Sequence, residues 1–375
     1  MKKRGVMEKG RSIFVTAISG SSEGESIRRF QELAASLGKK VHHYALGERI
    51  EEIARRKNIT LNRAKVLNSP PDKIKLLRYA AIAEAHSEAE VFRKHGHTVI
   101  FDAHVSFYHR HAFNDGIDPD DIKRLSPDVF VNFIDGVEST ARTMRRPGRI
   151  RQWQHDFFPK DRPRWYPIEK ILDWQSVEVT MTRWAAGFLG KPFYVLPTKA
   201  SPTVLYRFLY EPWRVTCYFG MPLTFLHGKK HVAARKRIDA LKGWLENYVT
   251  VIDPRYVEPM SQEHLRNVFY PMYDQIPRRD LWWLIPPCNV MVAYYPTRGI
   301  ASEGMSHERR EFHETCKDVF THYPGDSVSP FFTFWTDEEI FRDEKVFKRE
   351  FLRWLGCAYL RKVDRANRFY KKSKI

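Results

Sequence analysis

The stretch that decides the fold is VMVAYY at residues 290–295, followed by SEGMSHE at residues 302–308. The first run is apolar and rich in β-branched and aromatic residues, which predicts a buried strand. The second run contains small residues and then a polar helix start, so the chain turns where the strand ends. At this edge of a parallel sheet, backbone N–H groups and loop side chains meet ligands. We therefore expect a binding site here, and Glu308 is a carboxylate that can do chemistry in it.

Two upstream blocks accompany this motif. RDLWWLI at residues 279–285 predicts a short amphipathic helix that carries Asp280, and VTCYFGMP at residues 215–222 predicts a strand that carries Tyr218 and Gly220. The glutamate of the motif, the aspartate and the tyrosine hydroxyl are residue types that can carry out nucleophilic and acid–base chemistry.

The order and spacing of the three blocks over residues 213–325 resemble the nucleoside 2-deoxyribosyltransferase and nucleoside monophosphate N-glycosidase family. The resemblance implies that Glu308 is the nucleophile. Ser302 stands where the branch that hydrolyses monophosphates has a serine and the transferase branch has an aspartate. We therefore expect Ser302, with the amides of Gly304 and Met305, to hold a 5′-phosphate at a helix N-terminus.

The same resemblance assigns the other site residues. Asp280 is implied to hold or protonate the leaving base, Tyr218 to orient the nucleophile, and Gly220 to lie in the binding loop. Asn289 departs from the family, which often has an acidic residue just before the strand. Members of the family usually complete their pocket with residues of a neighbouring copy, so the resemblance also implies a homo-oligomer.

Other interpretations of these residues remain open. Glu308 and Glu311 also fit the solvated face of a helix that carries Arg309 and Arg310, and Glu303 is a rival nucleophile. The aspartate at the start of the 279–285 block also fits a charge that favours a helix N-terminus. The tyrosine of the upstream strand also fits an ordinary core residue.

The N-terminal half contains a second strand, loop and helix. IFVTAI at residues 13–18 predicts a buried strand, SGSSEGES at residues 19–26 a glycine-rich loop, and residues 27–37 an amphipathic helix. This order resembles a P-loop, although Ser19 replaces the first glycine and Glu25 replaces the lysine. A glutamate at the lysine position is expected to repel phosphates. The residues that we assign to the degenerate phosphate-loop site are Gly20, Gly24 and Ser26, together with Asp102 from a later strand.

Further strands at residues 97–102 and 128–134 predict a β-α-β-α pattern and a doubly wound parallel sheet, with Asp102 at a strand end. These blocks over residues 11–210 look like an archaeal-type adenylate kinase or a related nucleoside monophosphate kinase. The resemblance implies a nucleotide ligand. A run of arginines follows where a lid would begin: Arg145, Arg146, Arg149 and Arg151.

At 375 residues the chain exceeds what a single core usually fills. We predict an α/β protein of two domains, with the join near residues 210–213. Residues 1–212 form a degenerate P-loop kinase-like domain with a doubly wound sheet. Residues 213–375 form a Rossmann-like, deoxyribosyltransferase-type domain that ends in a basic helix.

Composition limits the partners. The formal net charge of +18 attracts polyanions, and the basic, aromatic segment at residues 360–372 fits either nucleic-acid binding or a solvated terminal helix. No segment is apolar enough to span a bilayer and no signal peptide is evident, so we expect no membrane partner and a cytoplasmic location. The four cysteines and fifteen histidines show no spacing typical of a metal site, so neither metal nor cofactor is predicted.

Three functions follow in order of preference. The leading hypothesis is cleavage or exchange of the base–sugar bond of a nucleoside monophosphate through Glu308. The second is a nucleoside monophosphate kinase-like phosphotransferase whose loop works without its lysine. The third is a non-catalytic protein that binds nucleotides or nucleic acid. Release of free base would favour the first hypothesis, and transfer of phosphate would favour the second. Salt-sensitive binding of an oligonucleotide with neither activity would favour the third.

Overall fold

The structure is a computed structural model that describes residues 9–62, 65–163, 165–222, 231–257, 277, 279–298, 302–326, 328–335 and 340–357. The basic segment at residues 360–372 lies outside these ranges, so the prediction of a basic terminal helix is not addressed by the described residues.

The chain divides into two compact units. Unit 1 contains the chain up to Pro202, together with Val257, and unit 2 contains Thr203–Tyr256 and the described residues from 277 onward. This division falls before the helix at Pro202–Tyr210, whereas the sequence analysis places the join after it. The kinase-like and deoxyribosyltransferase-like domain assignments stay predictions.

Unit 1 is built on a five-stranded parallel sheet in the order β2-β3-β1-β6-β7. Its strands are β1 Ser12–Thr16, β2 Val41–Ala45, β3 Thr98–Asp102, β6 Val129–Ile134 and β7 Phe193–Pro197. A separate antiparallel hairpin consists of β4 Ser106–His109 and β5 Ala112–Asp115.

Helices connect the parallel strands of unit 1, as parallel pairing requires. Their bounds are α1 Glu23–Ser36, α2 Leu46–Arg56, α3 Pro71–Lys94, α4 Pro119–Leu125, α5 Val137–Met144, α6 Ile150–Phe157 and α7 Tyr166–Phe188. A short 3₁₀ turn lies at Val66–Asn68. All residues of β1 and of β6 are buried, so both faces of the sheet are covered.

Unit 2 has a four-stranded sheet in the order β11-β10-β8-β9, and every pair is parallel. The strands are β8 Thr216–Gly220, β9 Thr250–Ile252, β10 Val290–Tyr294 and β11 Asp318–His322. The helices are α8 Pro202–Tyr210, α9 Val232–Glu246, α10 Glu303–Glu314, α11 Pro330–Phe334 and α12 at residues 344–357. One 3₁₀ turn covers Pro254–Tyr256, and a π-helical turn covers Asp280–Leu284.

The two faces of the unit 2 sheet take different side chains because strand residues alternate. Cys217 and Phe219 lie in a core cluster with side chains of α9 and α12. Tyr218 points to the other face, where its ring lies 6.0 Å from that of Phe312 on α10. This alternation brings Tyr218 to the helix that carries Glu308.

The expectation of a mixed α/β protein with parallel sheets is confirmed. The buried strands predicted at residues 13–18, 97–102, 128–134 and 290–295 are present within one or two residues of their expected ends. Helix α1 begins at Glu23, four residues earlier than predicted, so part of the glycine-rich loop belongs to its first turn. Among the helices of the described residues, none combines the length and apolar character of a bilayer span.

Candidate functional site

A tyrosine and a glutamate meet at the carboxyl edge of the unit 2 sheet. Tyr218 comes from the middle of β8 and is fully buried. Its hydroxyl donates a hydrogen bond of 2.7 Å to Oε1 of Glu308, which lies in the second turn of α10. The structure therefore joins two residues that stand 90 positions apart in the chain.

The second oxygen of Glu308 remains available. Oε2 is buried and has no hydrogen-bond partner among the described residues. Burial raises the pKa of this carboxyl to about 8, the Tyr218 hydrogen bond lowers it, and the charge of Asp280 raises it. A buried carboxyl oxygen without a hydrogen-bond partner lowers the stability of the fold. The presence of such a group at this position therefore favours a role in binding or catalysis.

The backbone of β8 comes close to this oxygen at Gly220. A Cβ atom added at Gly220 would lie 3.0 Å from Glu308 Oε2 and 2.5 Å from the Met291 methyl group. The strand pairing places Gly220 directly opposite Ala293, another small residue. A side chain at position 220 would therefore collide with Met291 and crowd Oε2, so the packing beside this oxygen requires a glycine.

Asp280 supplies the second carboxyl of the site. It begins the π-helical turn, and its side chain is 26% exposed, so it reaches both the site and solvent. Burial of the carboxyl raises its pKa, and Arg279, whose Nε lies 3.8 Å from Oδ1, opposes that rise. Asp280 thus has the character of an acid that keeps its proton at a higher pH than an exposed aspartate does.

The N-terminus of α10 lies in the same unit. Ser302 is its N-cap, and its Oγ accepts a hydrogen bond of 3.3 Å from the amide of Met305. The Met305 amide is therefore already occupied, whereas Gly304 is exposed. The Ser302 hydroxyl hydrogen remains a donor, since the cap uses only an oxygen lone pair.

Sequence reasoning missed Arg309, the neighbour of Glu308. This arginine is 1% exposed, its guanidinium donates to the carbonyl of Phe332, and its charge lies 4.4 Å from the centre of the Phe332 ring. It thereby ties α10 to α11 on the far side of the glutamate. An arginine inside the ERRE run gives no signal of burial, because such runs usually form a solvated helix face.

The glycine-rich loop of unit 1 departs from the expected arrangement at Glu25. Its side chain is exposed and forms an ion pair of 2.6 Å with Arg28, so it points along α1 and its charge is compensated. Ser26 is buried and donates a 2.6 Å hydrogen bond to the carbonyl of Thr198. Gly20 has a φ of +91°, which a residue with a side chain rarely adopts, while Gly24 is exposed with open space around it.

Several carboxyl groups lie close to this loop, and only Asp102 among them was expected from the sequence. Burial, together with the charges of Asp102 and Asp135, raises the pKa of Glu23 to about 8. Asp102 ends β3 and pairs with His43 at 3.1 Å, and Asp135 accepts a 2.9 Å hydrogen bond from Ser22. The surroundings of the loop are thus acidic, which is unfavourable for an anion.

Comparison with known proteins gives neighbours of low similarity. No protein-family model matches the sequence, and no curated protein matches it. A shikimate kinase from Acinetobacter baumannii in complex with shikimate shares 12% identity, with 55% of this chain and 96% of that chain covered and a TM-score of 0.35. A thymidylate kinase from Candida albicans shares 13% identity over 54% of this chain and 92% of its own, with a TM-score of 0.31.

A third neighbour is a gluconokinase from Sinorhizobium meliloti 1021, with 15% identity, coverage of 48% of this chain and 97% of that chain, and a TM-score of 0.22. The neighbours are thus kinases that match about half of the chain. At such TM-scores these likenesses carry no argument about its activity. The resemblance to deoxyribosyltransferases rests on sequence motifs alone.

Proposed function

We propose that unit 2 cleaves the N-glycosidic bond of a nucleoside monophosphate, with Glu308 as the nucleophile. The observation that carries the proposal is the Glu308 carboxylate, whose Oε1 is held by Tyr218 at 2.7 Å while its buried Oε2 has no partner among the described residues. One oxygen is fixed and the other is free. A nucleophilic carboxylate needs this arrangement.

Each residue has a defined task in this reaction. Glu308 Oε2 forms a bond to the anomeric carbon as the bond from that carbon to the base nitrogen breaks. Asp280, with its raised pKa, gives a proton to the departing base. Water, or a second base in an exchange reaction, then attacks the same carbon and releases Glu308, and the proton of the attacking group returns to Asp280.

The protonation state of Glu308 sets a condition on this mechanism. The nucleophile must be ionised, yet burial raises its pKa to about 8. The Tyr218 hydroxyl favours the ionised form because it donates to the carboxylate. Tyr218 therefore has a role in generating the nucleophile as well as in orienting it.

Ser302 supports a phosphorylated substrate. Its hydroxyl and the first amides of α10 form a cap at a helix N-terminus, where the helix dipole favours an anion. A 5′-phosphate placed there would receive a hydrogen bond from Ser302, and the exposed Gly304 would allow close approach of the backbone. Assembly into a homo-oligomer stays a prediction of the family resemblance.

The experiment compares Glu308→Gln with Glu303→Gln on the full chain. Release of free base from a panel of nucleoside monophosphates is measured by chromatography. Glu308→Gln is expected to lower the rate by several orders of magnitude, because the amide cannot act as a nucleophile, while nucleotide binding by calorimetry stays similar. Glu303 lies exposed in the first turn of the same helix, so its variant should retain full activity.

Two results would refute the proposal. One is base release that survives in the Glu308→Gln variant. The other is a wild-type protein that binds nucleoside monophosphates but releases no base from any of them.

A second candidate is a phosphotransferase in unit 1. The observation in its favour is the loop at residues 19–22, which joins β1 to the N-terminus of α1 at the carboxyl edge of a parallel sheet. With a pKa of about 8, Glu23 is mostly protonated at neutral pH and repels phosphate less than its residue type suggests. Transfer of labelled phosphate from ATP to a monophosphate tests this candidate, and a lack of ATP binding would exclude it.

A further inference from the structure

Three potential metal ligands lie close together in unit 1, and a fourth residue lies beside one of them. The imidazole nitrogens of His111 and His155 and a carboxylate oxygen of Asp156 all lie within 4.8 Å of one another. His109 is a fourth neighbour, since its Nδ1 lies 3.8 Å from Asp156 Oδ2. We propose that these four residues form a binding site for a transition-metal ion such as Zn²⁺.

The distances fit such an ion after small side-chain rotations. Ligand atoms around a tetrahedral zinc ion, with bonds of about 2.0–2.1 Å, stand about 3.3 Å apart. Asp156 Oδ1 is already 3.4 Å from Nδ1 of His155. The rings of His111 and His155 lie 4.9 Å apart, and both side chains are exposed and free to turn.

Asp156 is prepared to act as a ligand. It is 3% exposed, and its Oδ2 accepts a 2.9 Å hydrogen bond from Lys65. Lys65 thus orients the carboxylate from behind and leaves Oδ1 for a metal, as outer partners of metal ligands do.

His109 adds an independent observation. Its Nδ1 is buried and has no hydrogen-bond partner among the described residues. A buried, unpartnered imidazole nitrogen is unfavourable unless something binds to it.

The hairpin turn that presents His111 is strained. β4 ends at His109 and β5 begins at Ala112, so Arg110 and His111 form a two-residue turn, with φ values of +52° and +59°. Turns with two positive φ values normally contain Asn-Gly or Asp-Gly. This conformation is unfavourable for Arg110 and His111, because both have side chains. The turn places His111 beside α6, which carries His155.

The donor atoms select the type of ion, and a cleft of about 630 Å³ opens beside two of the ligands, His111 and His155. A set of imidazoles with one carboxylate does not suit Mg²⁺ and Ca²⁺, which depend on several oxygen ligands. Imidazole nitrogens instead favour Zn²⁺, Co²⁺, Ni²⁺ or Cu²⁺. The open cleft gives such an ion a path from solvent.

Metal titration of tag-free, chelator-treated protein tests the site. The wild-type chain should bind one equivalent of Co²⁺ with the visible absorption of nitrogen-ligated cobalt, and Zn²⁺ should displace it. His111→Ala and His155→Ala are each expected to weaken this binding at least tenfold. Both side chains are exposed, so folding should persist, and circular dichroism checks this.

His95→Ala is the matched control. His95 is also an exposed histidine of unit 1, at the end of α3, and lies outside the cluster. Its variant should bind Co²⁺ like the wild type. Absence of stoichiometric binding in the wild type, or unchanged binding in both His111→Ala and His155→Ala, would overturn the proposal.

Discussion

In the proposed reaction, Glu308 is subject to two opposed requirements. The nucleophile must be ionised, but burial raises the pKa of the carboxyl to about 8, so the protonated form predominates at pH 7. The Tyr218 hydroxyl is the main local group that moves the pKa back down. Asp280 moves it up, because a second negative charge nearby disfavours the first. The balance among three side chains thus sets the active fraction.

The pH dependence of base release should report this balance. In the wild type, kcat/KM is expected to rise with pH through a midpoint near 8, where Glu308 loses its proton. Tyr218→Phe removes the bond that lowers this pKa, so its midpoint should move upward and its rate at pH 7 should fall. Tyr248→Phe, at an exposed tyrosine of the same unit, should leave the profile unchanged.

A profile that falls through pH 8 would mean that Glu308 works as an acid and not as a nucleophile. An unchanged midpoint in Tyr218→Phe would show that the hydroxyl does not set the pKa of Glu308. The two outcomes can be told apart because the first concerns the wild type and the second only the variant.

The family resemblance led us to expect that Tyr218 and Glu308 meet, and regular geometry accounts for their contact in the structure. Strand alternation fixes the face of a tyrosine, and a parallel strand, turn and helix fix the edge at which a glutamate emerges. Patterns did not predict the outward turn of Glu25, which depends on the rotamer that lets it pair with Arg28. Nor did they predict the burial of Arg309, which depends on the packing of α11.

At the scale of elements, the start of α10 has a structural role to which the proposed function adds a binding role. Ser302 caps the helix through its oxygen, and its hydroxyl hydrogen is the donor proposed for the phosphate. Ser329 caps α11 in the same way, with Oγ accepting from the amide of Phe332 at 3.3 Å. The second cap provides an internal reference for the first, since the two bonds have equal length.

Replacement of each cap by alanine separates the two roles. Ser302→Ala and Ser329→Ala should each lower the free energy of unfolding by about 1 kcal/mol, as loss of a cap usually does. Only Ser302→Ala should reduce the preference for monophosphates over nucleosides, by roughly 1 to 3 kcal/mol in ΔΔG‡ from kcat/KM ratios. An equal effect of both variants on that preference would remove the phosphate role from Ser302.

The hairpin β4–β5 shows why some elements escaped prediction. Its strands have four residues each, and β5 is fully exposed, so no apolar alternation marks it. Its turn is Arg110-His111, not the glycine-containing pair that signals a hairpin. The histidine spacing of the proposed metal site is likewise invisible in the sequence, because the hairpin and α6 come together only in the fold.

At the scale of the whole molecule, three glutamates of the described residues resist ionisation strongly. Glu23, Glu178 and Glu308 all have pKa values raised to about 8 from an ordinary value of 4.5, and burial is the largest cause in each. Glu178 accepts bonds from the amides of Val105 and Ser106, which oppose the effect of burial. The groups belong to both units, so their effect on stability is not confined to one part of the chain.

These raised pKa values predict that the protein loses stability as the pH rises from 7 to 8.5. In this range the folded chain holds protons on the three carboxyls while the unfolded chain does not. The folded chain thus binds more protons than the unfolded chain, so the free energy of unfolding falls as the pH rises. Each fully protonated group contributes up to about 1.4 kcal/mol per pH unit. Below pH 6.5 the effect is opposed by buried histidines such as His104 and His322, whose pKa values are lowered.

Urea unfolding at pH 7 and pH 8.5 measures this loss, and Glu178→Gln identifies its source. In the wild type, the backbone amides of Val105 and Ser106 donate to the two carboxyl oxygens of Glu178. The side-chain NH₂ group of a glutamine would face one of these donors, so the variant should be less stable than the wild type at pH 7. Its stability should also fall less between the two pH values, since one titrating group is gone. Glu51→Gln, at an exposed glutamate of α2, should keep the wild-type slope. The opposite outcome is a wild-type stability that stays flat or rises over this range. It would show that the buried carboxyls are ionised in the folded chain. The proposed reaction would then start from a charged Glu308 at neutral pH.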